Sequence, residues 1–250
     1  MITTLGDEDY KSCKVVIACP SVGNVGQLAV DLLISTIKPE PKGIIWHEAV
    51  LPLVGSDPYD TQSKSLCTST QVYYSAKHKL VLVQMRAPLN SNTKQQDGFL
   101  RELIELFSRK QCESFVVLGG VFGHTRNDVE MRTGPFCYVT CPESNRLYGS
   151  VLKELNWPQM NGNDAENNFP CPSLSGAGFC KRLFKLCVEE KMPCTLLLLY
   201  CSEGDNLQDC IMFTSTIDNW LKVLPDQAQK FIYPPSWKFL FGNTANPEMY

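Results

Sequence analysis

Hydrophobic positions along the chain change period several times, and each change marks an element. Lys14 to Cys19 is a short β-branched run closed by Pro20, and from Gly23 to Ile37 the positions Val25, Leu28, Ala29, Leu32, Leu33 and Thr36 fall at helical spacing. The pattern predicts strand, turn and helix in that order. A second apolar run opens at Gly43 to Trp46 and continues, broken by Pro52, to Val54. Gln71 to Ser75 and Lys79 to Met85 predict two strands joined by a tight turn at Ala76-Lys77-His78.

From Gln95 the period lengthens. Phe99, Leu100, Leu103, Ile104 and Phe107 make one stripe, with Arg101, Glu102, Glu105 and Arg109 outside it, which predicts an amphipathic crossover helix. It feeds Ser114 to Leu118, a run apolar on both faces, as in a central parallel strand. A strand is expected at Phe136 to Thr140 and a helix at Glu143 to Leu155. Asn156 to Pro172 follows as a polar loop, then a helix from Ser175 to Lys191 that Pro193 stops. Thr195 to Tyr200 is a further strand and Leu207 to Leu224 a further helix.

The order is largely βαβ with one hairpin. The expected architecture is therefore an α/β three-layer sandwich, α/β/α, around a mainly parallel sheet. Elements after the polar loop are too few for a core of their own, so residues 1–224 are expected to form a single domain. Residues 225–250 hold four prolines and six aromatic residues without a period. They are expected to pack on the body or on a partner.

Composition narrows the function. The chain has 250 residues, 23 Lys+Arg against 26 Asp+Glu, and a formal charge of −3. Basic residues form no stripe that could follow a phosphate backbone, which argues against nucleic acid as a partner. Met1 to Asp9 contains three acidic residues and no apolar core, so no secretory signal is predicted, and no apolar run approaches the ~20 residues of a membrane span. A chain soluble inside the cell is expected, with its 12 cysteines reduced and several of them serving as small core hydrophobes. No C-x-x-C pair exists and the three histidines (His47, His78, His124) are far apart, so neither a metal nor another cofactor is expected.

Three turns hold residue types that could carry chemistry. Ser21-Val22-Gly23-Asn24-Val25-Gly26 looks like a dinucleotide fingerprint with Ser21 in place of the first glycine, and an enzyme of nucleoside or nucleotide metabolism could use it as a phosphate cradle. In the structural alternative Gly23 relieves a tight turn and Gly26 lets the helix sit close on the sheet. Ser21 does not fit a nucleophile elbow, because Cys19 stands where that motif requires glycine. His124, Arg126, Asn127 and Asp128 follow a strand and could supply a base and an orienting carboxylate. The plainer expectation is an ion-paired, capped loop. Ser202-Glu203-Gly204-Asp205-Asn206 could hold a cation through Glu203 and Asp205, or could make a turn and a helix N-cap.

Taken together, several blocks resemble the proteasome assembly chaperone family. They are Ser21 to Thr36, Leu51-Pro52-Leu53-Val54-Gly55, Asp57-Pro58-Tyr59, Arg126-Asn127-Asp128, Ser202 to Asn206, Pro235-Ser236-Trp237 and Leu240-Phe241-Gly242, in order over nearly the whole chain. The resemblance implies an α/β/α domain related in shape to nucleoside phosphorylases but without catalytic activity. It also implies a heterodimer with proteasome assembly chaperone 1 that holds proteasome α subunits while the α ring of the 20S core forms, in cytoplasm and nucleus. Family tails dock between α subunits through a hydrophobic residue, a tyrosine and any last residue. This sequence closes Pro247-Glu248-Met249-Tyr250, with the tyrosine last, and Met249 and Tyr250 are the expected docking residues.

Overall fold

The computed structural model describes residues 2–6, 8–126, 128–160, 174–224 and 230–239. Their elements run β1 (Ile2–Thr3), β2 (Lys14–Ala18), α1 (Val25–Ile37), β3 (Glu40–Trp46), β4 (Val54–Ser56), β5 (Leu66–Thr68), β6 (Thr70–Ser75) and β7 (Leu80–Met85). Then come α2 (Thr93–Arg109), β8 (Ser114–Phe122), α3 (Asp128–Arg132), β9 (Phe136–Thr140), α4 (Pro142–Glu154), α5 (Gly178–Glu189), β10 (Cys194–Cys201) and α6 (Leu207–Leu221).

Eight strands form one sheet in the order β1-β3-β6-β7-β2-β8-β10-β9, and β4 and β5 make a separate two-stranded ribbon. The middle of the sheet, β7-β2-β8-β10, is parallel. Its margins are not: β6 runs against β7 and β3 against β6, while β9 runs against β10. The architecture is α/β with a mainly parallel core, as the alternation of strands and helices predicts. β10, which follows the polar loop, lies between β8 and β9 in the sheet.

Successive strand residues feed opposite layers, as the pleat requires. Val15, Ile17, Phe115, Val117, Leu196 and Leu198 pack with Phe99, Leu103 and Phe107 of α2 and Leu183, Phe184 and Cys187 of α5. Val16, Ala18, Val116, Leu118, Leu197 and Leu199 pack instead with Ala29, Leu32 and Leu33 of α1, Tyr148 and Leu152 of α4, and Phe213, Ile217 and Trp220 of α6. The eleven described cysteines are all buried with free thiols.

Several differences from the sequence expectation have local causes. The central strand expected at 114–118 continues to Phe122, because Gly119 and Gly120 extend the β8–β10 ladder while interrupting the apolar run that marks a strand. β3 begins at Glu40, and the register shift between Pro41 and Gly43 hides its alternation. β1 and the β4–β5 ribbon are two or three residues per strand, too short for a period to register.

Candidate functional site

The carboxyl ends of β2, β8 and β10 meet at one end of the sheet, where open α/β folds hold their ligands. There Ser21, Gly23, Asn24, Phe122, Glu203 and Gly204 line a cleft of about 440 Å³. Two of the three candidate turns, after β2 and after β10, thus line one cleft, and Phe122, the last residue of β8, lines it with them.

The turn after β2 is packed onto its neighbours atom by atom. Gly120 of β8 donates its amide to Ser21 Oγ at 3.0 Å. A Cβ on Gly120 would lie 2.1 Å from the Val22 carbonyl oxygen, and one on Gly26 would lie 2.5 Å from the carbonyl oxygen of Leu118. Gly23 has φ +61°, and a Cβ there would meet Asn206 Nδ2 at 2.7 Å. Asn24 is also left-handed, with φ 51°, a region that asparagine tolerates better than most residues. Backbone that would wrap a pyrophosphate in a nucleotide-binding turn is here apposed to protein.

Asn206 is the buried pivot of the other turn. Its Nδ2 donates to the carbonyls of Ser202 at 2.9 Å and Gly204 at 3.0 Å, which closes the loop after β10. Asp205 Oδ1 accepts from the Leu207 amide at 3.0 Å, at the start of α6. The turn is present, closed by Asn206 and Asp205, whereas Asn206 at the N-cap position of α6 makes no side-chain capping bond to the helix. Glu203 is exposed, lines the cleft, and would repel an anion entering it. Among the described residues no three His, Cys, Asp or Glu side chains group as metal ligands would.

The third turn stands apart from this cleft. His124 is exposed with its ring on Phe122, centroids 5.1 Å apart. Arg126 donates to the carbonyl oxygens of Thr133 and, at 3.2 Å, Gly134, and its guanidinium lies 5.2 Å from the Tyr200 ring centre. Asp128 is exposed at the start of α3. Arg126 thus closes its own loop. Asn127 lies outside the described residues, as do Met249 and Tyr250.

A polar junction that the sequence reading missed ties α1 to the residue just past the carboxyl end of β7. Asp31, flanked in α1 by Val30 and Leu32, accepts from Arg86 Nη2 at 2.8 Å and Nη1 at 3.3 Å, and also from the Tyr59 hydroxyl. Arg86 Nη2 reaches the Tyr59 oxygen as well, at 2.8 Å. Burial opposes the charge on Arg86, but Asp31 outweighs it and raises the guanidinium above its usual value. Burial, reinforced by the Asp31 charge, pushes the Tyr59 phenol well up. A carboxylate inside an apolar helical stripe was the available signal for this pair. The Asp57-Pro58-Tyr59 block acquires its physical meaning here, as the plug that seats the loop after β4. The C-terminal segment lies across the same loop: the Ser236 amide donates to the Pro58 carbonyl at 3.3 Å, and Ile232 donates to Thr36 Oγ1 at 3.0 Å. Trp237 packs on the layer of α1 and α6 and stacks with Tyr233 at 5.7 Å.

The family described as PAC2 matches this sequence over residues 15–212, from the second residue of β2 into α6. The chain belongs to the PAC2 family. Proteasome assembly chaperone 2 of Xenopus tropicalis is 33% identical, with 97% of each chain covered. Human proteasome assembly chaperone 2 is 28% identical over 97% of this chain and 96% of its own. The PAC2 fold is also seen in Pyrococcus furiosus PbaB, an archaeal proteasome activator, at a TM-score of 0.66 and 13% identity over 90% of both chains. P. furiosus PbaA, an archaeal homolog of proteasome-assembly chaperone, superposes at a TM-score of 0.64 and 12% identity, with 89% of this chain and 86% of that one covered.

Proposed function

We propose that this PAC2-family chain is a proteasome assembly chaperone, acting without catalysis of its own. The reading is carried by similarity along the full length to chains named proteasome assembly chaperone 2, at 33% identity in the frog relative. In the finer reading the chain pairs with proteasome assembly chaperone 1, and the heterodimer holds α subunits of the 20S core while their ring closes, in cytoplasm and nucleus. Met249 and Tyr250 are the residues assigned to the α-ring contact.

The packing of the cleft favours a binding protein over an enzyme. Ser21 Oγ is occupied by the Gly120 amide, and the glycines that could have framed a phosphate are pressed against β8 and Asn206. Co-purification tests the reading. The tagged chain, expressed with proteasome assembly chaperone 1 and the α subunits, is expected to recover both, and recovery of neither would overturn it. Calorimetric titration with nucleosides and nucleotides is expected to give no heat of binding. Micromolar affinity would restore the enzyme of nucleotide metabolism as the better account.

A further inference from the structure

Four of the twelve exposed large apolar side chains among the described residues, Leu51, Leu53, Val54 and Leu66, belong to the β4–β5 ribbon and the segment that enters it. Leu51, Pro52, Leu53 and Val54 are four consecutive exposed apolar residues, with Leu51 45%, Leu53 39% and Val54 68% accessible. Such a run on a surface is a folding and solubility fault unless it has a use. The register of the ribbon extends it across to the next strand. Val54 pairs with Thr68, Gly55 with Cys67 and Ser56 with Leu66. Paired residues, and residues two apart, share a face of a ribbon, so Val54 and Leu66 stand diagonally on one side with Ser56 and Thr68, while Gly55 and the buried Cys67 turn to the other. Leu66 is 67% accessible. A two-stranded ribbon is barely stable by itself, and this one holds Val54 and Leu66 to the outside.

We infer that this apolar surface, Val54 and Leu66 on the ribbon with the adjoining Leu51 to Leu53, is the contact surface for the sister chaperone subunit. The assignment rests on the heterodimer reading above and gives it a location. Size supports a stable partner: the five residues expose roughly 400 Å² together, within the range of the largest patch on a monomer and about half of the ~800 Å² each chain brings to a standard interface. Composition supports a permanent one. No charged residue occurs from Ala49 to Ser56, whereas the exposed Asp60, Gln62 and Lys64 follow in the connection between the two strands. A charge-free centre beside a polar rim is the anatomy of a lasting interface, while a client that must later be released is better held by a more polar surface.

The test is the double variant Val54→Asp/Leu66→Asp, co-expressed with proteasome assembly chaperone 1 and followed by size-exclusion chromatography with light scattering. Both side chains are two-thirds accessible, so circular dichroism and the thermal midpoint are expected to match the wild type. Heterodimer affinity is expected to fall at least about 100-fold. Should the variant misfold, hydrogen exchange on the wild-type pair serves instead, with slowed exchange expected at residues 53–56 and 66–68 on pairing. Wild-type pairing that the variant retains in full, or exchange unchanged there, would overturn the surface while leaving the heterodimer standing. Failure of the wild-type chain to pair at all would remove the premise itself. A variant that pairs normally but loses α-subunit capture would give the face to the client. A lone wild-type dimer that the variant dissolves, with heterodimer intact, would give it to a second copy of this chain.

Discussion

Gly120 hands its amide to the hydroxyl of Ser21, and this single bond of 3.0 Å fixes the turn after β2 against the carboxyl end of β8. The adjoining glycines follow from that approach. Gly26→Val would drive its Cβ toward the Leu118 carbonyl, 2.5 Å away, where the obstacle is backbone and cannot swing aside. Gly23→Val would combine an unfavourable φ of +61° with a clash on Asn206. Each change is expected to destabilise by about 2–4 kcal/mol through strain and overpacking. Urea denaturation checks the size, and loss of ligand affinity with unchanged stability would contradict a packing role.

Asp31 and Arg86 are expected to behave as one unit. Arg86→Met leaves the Asp31 carboxylate facing the core without its partner, a loss of roughly 3–5 kcal/mol. The double variant Asp31→Leu/Arg86→Met removes both charges and is expected to recover most of that. A double-mutant cycle in urea measures the coupling. Additive single changes would mean that the pair is held apart by solvent and contributes little.

Stability is expected to fall on the alkaline side. Burial pushes the thiols of Cys112 and Cys210 up to about 12 and that of Cys201 to about 11, against 9.0 for a free thiol. The folded chain therefore keeps protons that the unfolded chain releases. Their contribution is complete below pH 9 and is lost as pH rises toward the folded values, at up to about 1.4 kcal/mol per unit for each group. Unfolding midpoints measured from pH 8 to 10.5 check the slope. A flat profile, or rapid native-state reaction of these thiols with a disulfide reagent at pH 8, would contradict it.

Deletion of Met249 and Tyr250 is expected to leave folding and sister pairing unchanged and to lower capture of α rings several-fold. Capture is expected to persist in part because a partner tail would also contribute, and two weak contacts on one body reinforce each other. A quantitative pull-down with matched heterodimer amounts decides it. Undiminished capture would move the α-ring contact to the body of the fold.

The parallel core could be read from sequence because its strands are buried on both faces and its helices show one stripe each, so local pattern and burial agree. Val16 and Val15 enter opposite layers, and the apolar run says as much. The margins were less legible. Pro41 and the adjoining shift of register broke the alternation of β3, and β4 and β5 are shorter than the period that would reveal them. At the cleft, the glycine pattern announced close packing but not what it packs on, since Leu118, Gly120 and Asn206 are remote in sequence from the turn they touch. The Asp31–Arg86 pair spans 55 residues, and only the odd carboxylate in an apolar stripe hinted at it.

The strap of residues 230–239 and the ribbon face are joined mechanically. Ser236 holds the Pro58 carbonyl, and Pro58 stands two residues beyond Ser56, the last residue of β4. Between them and the body sits Tyr59, moored to Asp31 and Arg86. The strap is held on one side to α1, through Ile232 and Thr36, and on the other to this loop, two residues from the ribbon. Strap and ribbon thus share one anchor, the half-buried ring of Tyr59, and a change that frees that ring would loosen the footing of both.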